Sequence, residues 1–125
     1  MTFSLGDRSR RNLNGVHPDL VKVVERAIEI TEVDFTVIEG LRTKERQAQL
    51  FRDRFTKTMS SRHLTGHAVD VAPYPIDWED KVRFARVAKA MKQAACELNV
   101  AIVWGGDWKN SWDMPHYQLD RKVYP

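Results

Sequence analysis

A chain of 125 residues is long enough to bury one sizeable core and leaves no length for a second, so a single domain over residues 1–125 is expected. Its net charge of +3 and pI near 9.2 draw it toward polyanions, a class that includes wall polymer, anionic lipid and nucleic acid alike. One cysteine, Cys96, excludes an intramolecular disulfide; the start MTFSLGDRSRRN is too polar for a signal peptide, and nothing approaches the run of about 18 apolar residues that a membrane span needs.

Pro18 and Asp19 open a segment whose apolar residues Leu20, Val23, Val24, Ala27 and Ile28 recur at helical spacing, which predicts a first helix. Phe35–Ile38 reads as a short strand stopped by Gly40, and Thr43 caps a helix running through Leu50 and Phe51 toward Phe55. Arg42 falls at the strand-to-helix turn. In the stretch from Ala68 to Ala72, Val69 and Val71 alternate toward the core and Ala68, Asp70 and Ala72 share the other side, where two small residues leave room around Asp70. A third helix is expected from an Asp77 cap to about Asn99, burying Trp78, Val82, Ala85, Ala88, Met91, Ala95 and Leu98, with Cys96 as a small buried apolar residue. Val100–Trp104 predicts a central strand broken by Gly105-Gly106, and His116–Leu119 a last strand after Pro115. The fold class is therefore α+β, a small antiparallel sheet with about three helices.

The chemistry concentrates in Ser61–Asp70, SRHLTGHAVD, and in the later Asp113-Met114-Pro115-His116. His63, Asp70 and His116 supply two imidazoles and a carboxylate, a ligand set that satisfies one zinc ion and leaves a fourth position for water. Gly66 is free to adopt a backbone conformation barred to other residues, so the loop folds back and lets His63 and Asp70 converge. Because these ligands are far apart in sequence, metal binding should also stabilise the fold. Asp113 is the candidate general base: residues three apart on a flat strand face opposite ways, but Pro115 implies a turn that returns Asp113 to the side of His116.

Filled by Ser61, His63, Gly66, Ala68 and Asp70, the pattern SxHxxGxAxD with a carboxylate three residues before a histidine resembles the zinc D-alanyl-D-alanine carboxypeptidase-like peptidases, of hedgehog-like fold, and among them the phage endolysin branch. The likeness runs from about Phe3 to the C-terminus and takes in Asp34-Phe35-Thr36 and Gly40-Leu41-Arg42-Thr43; an aspartate at position 113, where the dipeptidases carry glutamate, favours the endolysins. It implies an L-alanyl-D-glutamate peptidase of peptidoglycan with one catalytic zinc. Arg42 is then the group that steadies the oxyanion, and Ser61 and Trp112 are substrate contacts, Ser61 alternatively bonding a metal ligand. It further implies a monomer with no separate wall-binding domain, made in the host cytoplasm without a signal peptide. It would reach the periplasmic wall once another protein opens the inner membrane.

Blander readings compete at several positions. His63 and His67 share the i,i+4 spacing of an HExxH zinc helix, but Leu64 stands where that motif needs glutamate, and Gly66 costs such a helix about 1 kcal/mol relative to alanine. His17 and His67 are therefore assigned to solvent or loop contacts. Trp104, Trp108 and Trp112 are candidates for a cleft, although aromatics beside a sheet are more often core. The run Arg42, Lys44, Arg46, Arg52, Arg54, Lys57 and Arg62 reads as a solvated face with Arg42 the exception, and no nucleic-acid partner or stable membrane insertion is expected. Two rival functions remain: a D-alanyl-D-alanine carboxypeptidase or dipeptidase of wall metabolism, and a non-enzymatic basic nucleic-acid-binding module.

Overall fold

The computed structural model describes residues 2–54, 61–109 and 113–125. Phe55, Lys57 and Trp112, expected above to end a helix, to lie on a basic face and to line a cleft, fall outside these described residues. The elements are α1 (Asp7–Asn12), α2 (Pro18–Ile30), β1 (Phe35–Glu39), α3 (Lys44–Arg52), β2 (Ala68–Pro73), α4 (Lys81–Leu98), β3 (Ile102–Trp104) and β4 (His116–Leu119). Short 3-10 turns at Arg62–Thr65 and Gly105–Asp107 precede β2 and follow β3. The strands form one antiparallel sheet in the order β1-β2-β4-β3, as an α+β chain requires.

Local chemistry sets the helix boundaries. The His17 ring accepts from the Asp19 N–H at 3.1 Å with Pro18 in the first turn, and all five residues predicted for the inner stripe of α2 are buried. Thr43 caps α3 by accepting from the Arg46 N–H at 3.0 Å. α2 and α4 pack on one another, and their stripes form one core with Phe35, Val37, Val69, Val71, Tyr117 and Leu119 from the sheet. The period-2 rule then sends Thr36, Ala68, Asp70, Ala72, His116 and Gln118 to the opposite face. Cross-strand pairing confirms the partition, with Ala72 opposite Thr36, Asp70 opposite His116 and Ala68 opposite Gln118.

Several expectations are corrected. α4 begins at Lys81, capped by Asp80 rather than Asp77, because Asp77 instead accepts from the Glu79 N–H in the preceding turn. Trp78 therefore lies outside the helix, 57% exposed and stacked on Phe84 at 5.7 Å. Of the predicted stripe Ala88, Met91 and Ala95 are buried, joined by Phe84, Val87, Ala90 and Ala94, whereas Val82, Ala85, Leu98 and Cys96 are exposed. The strand near Val100 is shorter than predicted and lies at the sheet edge, since β4 returns between it and β2. α1, absent from the sequence reading, packs on β1: its buried Ser9 accepts from the Val37 N–H at 2.9 Å.

One irregularity bears directly on function. The β1–β2 register slips between Val37 and Glu39, so that Glu39 rather than Ile38 stands opposite Asp70. The bulge thus turns a carboxylate, not an alkyl chain, toward the polar face.

Candidate metal centre

Asp70 and His116 meet because β2 and β4 are neighbours in register; His63 joins them from the turn just before β2. The Ser61 hydroxyl accepts from the His63 N–H at 3.2 Å and caps that turn. Gly66 ends it at φ +74°, and a Cβ there would lie 2.5 Å from the Gly15 carbonyl oxygen. Its own carbonyl accepts from the His17 N–H at 2.8 Å, so the fold-back expected of Gly66 is what the backbone does. The Arg42 N–H donates to the His63 carbonyl at 2.9 Å, which ties the turn to the Gly40–Thr43 segment.

Ring orientation follows from partners on the outer side. His63 Nδ1 lies 2.9 Å from the Gly40 carbonyl oxygen and His116 Nε2 lies 2.8 Å from Gln118 Oε1. Both oxygens only accept, so those nitrogens carry the protons and the inner nitrogens present lone pairs. His63 Nε2 and His116 Nδ1 each lie 3.3 Å from Asp70 Oδ1. The three residues offer ligand atoms all within 4.8 Å of one another. Three acceptors at this separation repel unless positive charge sits among them, and two imidazoles with a carboxylate are the donor types zinc takes. The arrangement fits a divalent metal.

The electrostatics agree. Burial pushes the Asp70 carboxyl up, but the His116 and His63 rings beside it outweigh that and hold the group well below the usual carboxylate range. Burial lowers His116, yet the neighbouring Asp70, Gln118 and Asp113 leave its pKa raised. Each shift favours the charged form of its group, so Asp70 stays anionic and draws positive charge to its side.

Asp113 is brought to the same place. Its Oδ2 lies 4.0 Å from His116 Nδ1, and the turn predicted from Pro115 is present. The Trp104 indole N–H donates to the Met114 carbonyl at 2.6 Å, the Val71 N–H to the Pro115 carbonyl at 2.8 Å and the His116 N–H to the Asp113 carbonyl at 3.1 Å. Gly105 lets this turn approach, since a Cβ there would sit 2.2 Å from the Asp113 carbonyl oxygen. Burial, then the charge of Asp70, raise the Asp113 pKa, with His116, His63 and Arg42 opposing.

Arg42 stands apart from the solvated basic face, its side chain only 9% exposed. Glu39 grips it in a two-pronged pair through Nε and Nη2, the latter at 2.9 Å, and Gln47 accepts from Nη1 at 2.7 Å. Trp108 lies beside the centre, its ring 5.3 Å from that of His116, whereas Trp104 stacks on the core residue Tyr117. His67 takes no part in the cluster: it bonds the Thr65 hydroxyl at 2.7 Å and lies against His17. The sequence reading missed Glu39, Gln47 and Gln118. Only Gln118 carried a usable signal, two residues from His116 and so on the same strand face.

Comparison with known proteins gives a consistent picture. The model of the phage L-alanyl-D-glutamate peptidase family matches residues 1–124. The L-alanyl-D-glutamate peptidase of Escherichia phage T5 is 41% identical over 130 residues, which cover 99% of this chain and 94% of that protein. The L-alanyl-D-glutamate peptidase of Listeria phage A118 is 30% identical across 99% of this chain, which spans only 45% of that longer protein. Among solved structures, the Serratia marcescens L-Ala D-Glu endopeptidase ChiX superposes with a TM-score of 0.92 at 43% identity, covering 99% of this chain and 95% of that one.

Proposed function

The chain belongs to the phage L-alanyl-D-glutamate peptidase family, and on that premise we propose that it is a zinc-dependent endopeptidase cleaving the L-alanyl-D-glutamate bond of the peptidoglycan stem. The observation that carries the metal dependence is the convergence of His63, Asp70 and His116 within 4.8 Å, each imidazole turned inward by an acceptor behind it. These three residues would hold the ion. The chemistry zinc supplies at such a centre is polarisation of a carbonyl and a pKa of about 7 for bound water.

The chain's own side chains do the rest. Asp113, beside the centre with a raised pKa, is suited to take the proton of the attacking water and deliver it to the leaving amine. Arg42 engages three of its five N–H groups with Glu39 and Gln47, so two remain to steady an oxyanion. Ser61 serves through the main chain, capping the turn that carries His63. Trp112 is assigned to the substrate cleft by its position next to Asp113 in the sequence.

The protein would act as one catalytic domain and as a monomer, reaching the wall after the inner membrane is opened; among the described residues no helix is long and apolar enough to cross a membrane. Digestion of purified peptidoglycan, with mass spectrometry of the new termini, tests the assignment. New amino-terminal D-glutamate is expected. Release of free D-alanine with the stem left on the sugar would assign a carboxypeptidase instead.

A further inference from the structure

Two rings at this centre offer different nitrogens, and different acceptors stand behind them. His63 turns Nε2 inward because a main-chain carbonyl, Gly40, takes its Nδ1 proton. For His116 the inward atom is Nδ1, and the acceptor is a side chain, Gln118, two residues along the same strand and hence on the same face. The sheet makes room for it: Gln118 stands opposite Ala68, fully buried and the smallest chiral side chain, so the amide lies along the face without competition.

We propose that Gln118 is a positioning residue for the metal centre, holding His116 in the Nε2–H form with Nδ1 aimed at the ion. Resting on the metal reading above, the inference gives the amide oxygen a definite task. An imidazole whose outer N–H is bonded is fixed in rotation and becomes a more basic ligand, and loss of such partners typically weakens metal binding about 10- to 100-fold. The main chain of β4 is paired on both sides, with β2 and with β3, and the acceptor behind His116 is the Gln118 side chain.

The test is zinc affinity, measured by competition with a chromophoric chelator on the whole chain, for wild type, Gln118→Met and Gln118→Glu. Methionine keeps length and bulk but loses the strong acceptor; glutamate keeps the acceptor. Gln118→Met should bind zinc about 10- to 100-fold more weakly while melting, in chelator, close to wild type, and Gln118→Glu should recover affinity to within a few-fold. In the zinc-loaded wild type the His116 Nε2–H proton should be visible by NMR and slow to exchange, and it should exchange rapidly in Gln118→Met. Equal affinity and equal protection in Gln118→Met, or a glutamate variant as weak as the methionine one, overturns the inference and leaves the metal reading standing. A wild-type chain that takes up no zinc overturns both.

Discussion

Zinc should raise the melting temperature by an amount that the geometry lets one estimate. Asp70 and His116 already face each other in register across β2 and β4, and the His63 turn is clamped by Gly40 and Arg42. Little folding free energy is therefore diverted into assembling the site, and binding to the folded state appears almost fully as stability. At free zinc 100-fold above its dissociation constant, linkage gives about 2.7 kcal/mol. With an unfolding entropy of about 0.26 kcal/mol/K for 125 residues, this corresponds to a rise of about 10 °C, and each further tenfold in zinc adds about 5 °C. The assay is calorimetry over a zinc titration against a chelator baseline, in wild type, His63→Ala, Asp70→Ala and His116→Ala. Each variant should lose most of the zinc-dependent rise, whatever its own baseline. A wild-type melting temperature indifferent to zinc, or the same slope in all four proteins, would refute the argument that these three acceptors meet around a cation.

Asp113→Asn should keep zinc stoichiometry and melting temperature while wall hydrolysis falls about 10²- to 10⁴-fold; a fully active variant removes Asp113 as the base. Gly66→Ala must hold a side chain at φ +74° and 2.5 Å from the Gly15 carbonyl oxygen, so a loss of more than about 2 kcal/mol is expected by chemical denaturation. An unchanged midpoint would show that the fold-back does not depend on glycine. In zinc-free protein, Asp70 has a depressed folded pKa, so its contribution is complete above its unfolded value of about 3.9 and lost as pH falls through the lower folded one. Asp70→Asn should flatten the acid limb of stability against pH, and superimposable limbs would contradict the assigned shift.

Much of this was legible in the chain because it rests on short-range rules. The inner stripe of α2 follows from 3.6-residue spacing, its start from Pro18, and the Thr43 cap from local donor and acceptor geometry, whereas the cap that His17 supplies was not read from the chain. Strand alternation placed Asp70 away from Val69 and Val71, and Pro115 implied the turn that returns Asp113 to His116. Other boundaries failed where two local solutions compete: Asp77 and Asp80 are both able caps, and the choice of Asp80 left Trp78 outside α4.

What the sequence determined by itself was the set of chemical groups: two imidazoles, two carboxylates, a guanidinium and the glycines that let the main chain turn among them. Only the tertiary structure decided how they face one another. The sheet order β1-β2-β4-β3 sets His116 beside Asp70 across a gap of 46 positions, and a slip of one residue in β1 puts Glu39 there to grip Arg42. Pairing between distant strands is selected by burial of the whole opposite face against α2 and α4, a cooperative property that no short window of sequence contains.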